Sequence, residues 1–208
     1  MRVIFGGHWE QPPDGWLVLT QQEQDIRRPL RFADNSVEGI FSEHVLEHVS
    51  LLDGVFFLRE CFRVLQPAGA MRLVCPTVDR LQEFAWHPGR AEENELERVY
   101  LEQSVLPLYQ PEVALLRSLN ITPSIRDIGV AFMFDSLMKK HEHVFLWSEN
   151  MLSRVLRQLG FLVVFQVPGK GLWALERKFR GVPEEEARAA DMAAFDPESS
   201  ALVATKPV

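Results

Sequence analysis

The sequence predicts an open, mostly parallel α/β sheet with helices on both faces and one helical insert. Three observations predict it. Six short runs rich in Val, Ile, Leu or Phe recur along the 208 residues, each flanked by turn residues. Capped helical patterns lie between several of them, and alternation of strand and helix is the mark of an α/β sheet. Runs such as "RLVC" are apolar without alternation, which suits strands buried on both faces. The chain is long enough for one domain with a well-buried core, and one domain over 1–208 is expected.

In chain order, the first run is "RVIF" (2–5), closed by Gly6 and Gly7. The link that follows, "GGHWEQPPDG", is too short and too rich in Pro for a full helix. "WLVL" (16–19) and "VEGIF" (37–41) are the next two strands. Ser50 then precedes "LLDGVFFLRECFRVL", with Asp53 three residues on, a capping-box pattern in which Asp replaces Glu or Gln. Leu52, Val55, Phe56, Arg59, Phe62 and Leu65 follow helical spacing, and Pro67 and Gly69 end the run. "MRLVCP" (71–76) is the fourth strand. Residues 80–140 break the rhythm as a helix-rich, aromatic-bearing insert. "SENMLSRVLRQLGF" opens at Ser148, closes at Gly160 and presents Met151, Leu152, Val155, Leu156 and Leu159 on one face. "FLVVFQV" (161–167) and "ALVATK" (201–206) complete the strands, with an exposed charged, Ala-rich helix or linker expected over 177–200.

Composition narrows the function classes. A net charge of −7 lacks the basic footprint that nucleic acid calls for. No apolar run approaches the ~20 residues of a membrane span, and nothing at the N-terminus reads as a signal peptide. A cytoplasmic protein with no membrane partner is the default expectation. Cys61 and Cys75 stand in apolar contexts and are expected as buried free thiols.

One stretch carries chemistry on its face. "FSEHVLEHV" (41–49) contains His-x-x-Glu-His, and on a helix His44, Glu47 and His48 would share a side as zinc ligands do. A zinc protease, however, also needs a third protein ligand from elsewhere and an open cleft. The bland reading is a helix N-terminus with locally bonded histidines, and no metal is assigned. The cluster His141-Glu142-His143 follows the insert. His141 or His143 is the candidate general base, since histidine titrates near neutrality; a hydrogen-bonded turn is the alternative.

"DIRRPLRFADNSVEGIFSEHVLEHVS" followed by "LRECFRVLQPAGAMRLVCPTVD" resembles the centre of a class I S-adenosylmethionine-dependent methyltransferase of the methyltransferase-11-like group. "HEHVFLWSENMLSRVLRQLGF" and "SSALVATKPV" are similar to later parts of the same group, so the resemblance covers most of the chain outside 80–140. It implies a Rossmann-like sheet of seven strands, or slightly fewer, with an antiparallel last strand. Helices lie on both faces, any strand reduction falls in the compressed N-terminal part, and the insert follows the fifth strand. It also implies S-adenosyl-L-methionine as cofactor, in the crevice beyond the carboxyl ends of the strands. Gly6 and Gly7 would let the backbone approach the cofactor. Asp25 would stand near the adenine, Phe32 and Ala33 along the same edge, and Ser42, Glu43 and His44 at the end of a strand.

Two positions depart from the group's pattern: His8 replaces the second glycine of Gly-x-Gly, and Thr20 replaces the acidic residue that holds the ribose. The expected function is methyl transfer from S-adenosylmethionine to a small-molecule acceptor, with the aromatic insert as a cap over the acceptor. A methyltransferase fold that has lost its cofactor site and serves as a scaffold is the competing reading; zinc hydrolysis is a third. Acceptor, pathway and oligomeric state are left open, with a homodimer as the one candidate assembly.

Overall fold

The computed structural model of the chain describes residues 1–6, 14–86, 99, 101–121, 130–166 and 199–208. Six strands form one sheet: β1 (Arg2–Gly6), β2 (Trp16–Leu19), β3 (Val37–Glu43), β4 (Leu65–Pro76), β5 (Leu162–Gln166) and β6 (Ser199–Thr205). Their spatial order is β2-β1-β3-β4-β6-β5. β2, β1, β3 and β4 run parallel, and β6 is antiparallel to both of its neighbours. Among the described residues the sheet is the mostly parallel Rossmann-like one expected, with six strands where the resemblance implies seven or slightly fewer. The shortfall falls between β2 and β3, where polar residues 20–36 make turns. The insert consequently follows the fourth strand of this chain. All six strand runs form strands. β4 begins earlier than "MRLVCP" because Leu65 already pairs with Val37 before a register shift.

Helix α1 (Leu51–Val64) starts as the capping pattern predicts: the Ser50 hydroxyl accepts from Asp53 N (3.2 Å) and donates to its carboxylate (2.6 Å). Its buried stripe, though, is Gly54, Phe57, Leu58, Cys61 and Val64. Leu52 on the expected face is 83% exposed. Both stripes are apolar, so hydrophobicity alone does not choose between them. Gly54 does: a Cβ there would lie 2.9 Å from the buried Trp147 ring, so the bare side of the helix turns inward. Helix α5 (Glu149–Gln158) packs through Leu152 and Leu156, flanked by Met151, Val155 and Leu159, the face expected. α1 and α5 share one cluster with Val3, Phe5, Ile40 and Leu73 of the sheet. Ile4, Phe41 and Val74 are buried in a second cluster. Cys61 and Cys75 are buried free thiols.

The insert carries α2 (Val78–Trp86), α3 (Gln110–Ser118) and α4 (Val130–Asp135) with a cluster of its own: Leu81, Val105, Tyr109, Val113, Met133 and Leu137. Tyr109 stacks on Phe132 at 4.6 Å, and burial pushes its phenol up to about 12. The side chains of Phe84, Trp86 and Tyr100, and the 177–198 stretch, lie outside the described residues. Among the described residues no helix is long and apolar enough to cross a membrane.

A partly buried ion pair fastens the turn region 30–34 to α1. Glu60 accepts from Leu30 N (2.9 Å) and from the Arg63 guanidinium. Arg63 in turn donates to Leu30 O, Phe32 O and Asp34. Arg63 holds the Glu60 carboxyl below its usual range against the opposing effect of burial. A carboxyl lowered on folding stabilises above its unfolded pKa, and that stability is lost as pH falls below about 4.5. Glu60→Gln keeps the shape but removes the charge. It is expected to cost about 1–3 kcal/mol at pH 7 in urea denaturation and to flatten the fall in stability below that pH.

Candidate functional site

Strand order reverses between β1 and β3, and the carboxyl ends at such a switch point diverge to leave a crevice. The divergence here is abrupt. Gly6 pairs with Glu43 at the end of the ladder and has φ +75°. A Cβ on Gly6 would sit 2.1 Å from Glu43 O and 2.4 Å from the Val45 side chain, so only glycine lets the two strands close here. The next residue on β3, His44, is itself left-handed at φ +50°, held by its N–H on Val74 O (3.0 Å). The last residue of β1 and the residue after β3 thus both have left-handed backbone.

The cavity between them measures about 350 Å³ and is lined by Phe5, Gly6, Leu19, Thr20, Asp25, Ile26, His44, Val45 and His48, among others. Of the residues expected at a cofactor, it brings together Gly6, Thr20, Asp25 and His44. Gly7 and His8 lie outside the described residues. Phe32 packs against the core instead of lining the cavity. Ala33 O accepts from the Ser36 hydroxyl within the turn. Ser42 and Glu43 are buried in β3 and do not line the cavity either, since the chain turns outward only after them.

Two wall residues differ from their sequence reading. Thr20 is not bare of acid: its N–H and hydroxyl both donate to Glu23 Oε2 at 2.9 Å. The Thr-x-x-Glu spacing, a capping-box signature, could have revealed this carboxylate. Asp25 is engaged by Arg27, which binds both carboxylate oxygens and holds the carboxyl below its usual range. Gln24 holds the loop by donating to Asp25 O and Pro29 O and accepting from Arg31 N.

Behind the cavity wall lies the histidine motif. Leu46–His48 is a 3-10 turn and not the start of a helix, so the expected helix face does not form. His44 Nδ1 nevertheless reaches Glu47 Oε1 at 2.9 Å. Glu47 is fully buried, and its carbonyl accepts from Val144 N (2.8 Å) and Phe145 N (3.1 Å). That pairing carries His143 inward, edge-on to His48 with centroids 4.9 Å apart. His141 stays exposed, its ring 5.9 Å from that of His143. Burial lowers His143 to about 4, against the pull of Glu47, so it is neutral at pH 7.

Gly6→Ala is expected to destabilise the protein by about 2–4 kcal/mol, because backbone strain and a clash with a carbonyl oxygen act together. Chemical denaturation measures it. Gly15→Ala, at positive φ but with nothing within 4 Å, is the control and should cost less.

Residues 9–73 match the family model described as a methyltransferase domain. None of the curated proteins matches the chain. Among solved structures it is similar to one from the complex between the Haloferax volcanii Trm112 methyltransferase activator and a methyltransferase (14% identity, TM-score 0.45). The match covers 95% of this chain and 64% of that one. A SAM dependent methyltransferase from Archaeoglobus fulgidus is similar at 15% identity and TM-score 0.43, over 91% of this chain and 67% of that one. The Haemonchus contortus phosphoethanolamine N-methyltransferase 2, in complex with phosphomonomethylethanolamine and S-adenosylhomocysteine, is 13% identical with TM-score 0.44, over 93% and 37%. The chain therefore spans less than two thirds of the first and third of these structures. The match to the methyltransferase-domain model covers less than half of the chain and lies on β2, β3, α1 and most of β4.

Proposed function

We propose that the chain binds S-adenosyl-L-methionine in the β1–β3 crevice and transfers its methyl group to a small-molecule acceptor. The observation that carries this reading is the cavity itself. It opens at the switch point, on the segment matched by the methyltransferase-domain family, with Gly6 as its floor. Its volume of about 350 Å³ lies within the range of small-molecule sites. The apolar lining (Phe5, Leu19, Ile26, Val45) suits a purine face. The Thr20–Glu23 pair supplies an acceptor oxygen for sugar hydroxyls at the end of β2.

The reaction asks little of side chains. A sulfonium methyl is already electrophilic, so the protein must hold donor and acceptor in line and exclude water. Held by the cavity residues, the cofactor would supply the methyl group and keep the C–S electron pair on its sulfur, and the acceptor heteroatom would give up a proton. Of the two histidines expected as base, His141 is the better placed to release that proton to solvent, being exposed. His143 is buried and weakly basic, which suits it to holding geometry. The aromatic insert is read as a cap on the acceptor side.

Titration calorimetry is expected to give micromolar binding of both S-adenosylmethionine and S-adenosylhomocysteine. Gln21→Trp, an exposed wall residue, should weaken binding at least tenfold with Tm unchanged. No binding at millimolar ligand by folded protein would turn the reading to a scaffold built on a methyltransferase fold. On an acceptor found by screening, His141→Ala should lower kcat by about 10²-fold or more at neutral pH; full turnover would remove His141 from the mechanism.

A further inference from the structure

The carboxylate of Glu47 is buried and faces imidazoles, with no guanidinium or ammonium group against it among the described residues. Its residue is fully buried, Oε1 accepts from His44 Nδ1, and Oε2 has no hydrogen-bond partner. A buried carboxylate is costly unless paired and fully bonded, and proteins meet that cost with a cation or a metal. The groups that face it are imidazoles. His143 is 7% exposed, presents Nε2 to Glu47 Oε1 at 4.0 Å, and has a buried Nδ1 with no partner. Four ångströms is too long for a hydrogen bond, yet it is within the spacing of two ligands on one ion about 2.0–2.2 Å from each. His48 completes the set: one donor atom each from Glu47, His48 and His143 lie within 4.8 Å of one another.

Each feature has a local cause. Glu142 adopts φ +55°, which reverses the chain between exposed His141 and buried His143. The Glu47 carbonyl then clamps Val144 and Phe145, bringing the third residue to a turn that holds only two. His44, with its own left-handed backbone, holds the carboxylate by one oxygen and leaves the other free.

We propose that Glu47, His48 and His143 bind one divalent first-row transition cation of the zinc type, with His44 as a positioning residue. Two imidazoles and one carboxylate are a borderline-soft donor set that suits such ions better than magnesium or calcium. Three protein ligands leave a position open, as at catalytic and not structural zinc sites. The ligand set borders the cavity through His48, which is exposed and lines it. Resting on the methyl-transfer reading, this placement favours an acceptor that offers an oxygen to the ion and is deprotonated more easily there.

The test uses the full chain, freed of metal by dialysis against chelator, and titrated with Zn²⁺ and with Co²⁺ in the absence of any nucleoside. The expected result is one ion per chain, micromolar or tighter, with a rise in Tm and a cobalt absorption band. His48→Ala, at an exposed position where folding is not at risk, should weaken binding at least tenfold, and so should His143→Gln. His44→Gln should weaken it about 10-fold or more while leaving the stoichiometry at one. Absence of saturable binding by folded protein overturns the site, as does binding that His48→Ala and His143→Gln leave unchanged. Cofactor titrations run in chelator keep the two readings separate. Nucleoside binding without metal binding overturns the ion site alone, and metal binding without nucleoside binding overturns only the methyl-transfer reading.

Discussion

The site depends on one close contact, that of Gly6 with Glu43 and Val45. Parallel β1 and β3 stay in register up to this pair, and Gly6 and His44 both have left-handed backbone. Closing the strands this far brings the crevice floor to the last ladder pair. It also forces β3 to release its chain at His44, which fixes where the Leu46–His48 turn begins. Cavity and histidine cluster therefore meet at this pair: Gly6 and His44 line the one, and His44 opens the other. The His44 N–H on Val74 O ties that turn to the next strand, so its geometry rests on the middle of the sheet.

Two buried carboxylates show how differently this chain treats charge. Glu60 is answered in full, with the Arg63 guanidinium on both oxygens and Leu30 N–H besides. The result is structural: the turn region between β2 and β3 is fastened to α1, with Lys206 capping the other side of that helix end through Phe62 O and Leu65 O. Glu47 is more deeply buried, and its side chain faces imidazoles. A guanidinium there would fill the space and seal the wall. Imidazoles instead set ring nitrogens, each able to offer a lone pair, within 4.8 Å of the carboxylate. The first arrangement maximises stability; the second keeps a cost in the folded state that a bound cation would relieve.

Much of the sheet was legible because its strands are short apolar runs between polar turns, a pattern in which local and global preferences agree. Ser50 and Ser148 were legible as caps for the same reason, since the hydroxyl and its target N–H lie within one turn. The inward face of α1 was not: two apolar stripes compete, and the choice is made by Trp147, a residue some ninety positions away in the chain, against Gly54. The cavity residues divide along the same line. Gly6, Thr20, Asp25 and His44 sit at strand ends or just beyond and were readable by position. Phe32, Ala33, Ser42 and Glu43 do not line the cavity, and position along the chain does not say which side of the turn faces it.

The histidine motif shows most clearly what spacing can and cannot say. Read as a helix face, His-x-x-Glu-His places three donors together and lacks a further ligand. In the fold the helix does not form, yet His44 and Glu47 still meet, because a left-handed residue and a 3-10 turn cover the same displacement. The missing donor comes from a segment that the sequence reading assigned to proton transfer. His143 is brought in by two hydrogen bonds between backbones far apart in the chain, which no periodicity reports. The motif thus works through its carboxylate. Glu47 uses its carbonyl to recruit His143 and its side chain to face it, and the surrounding imidazoles take their places from that single residue.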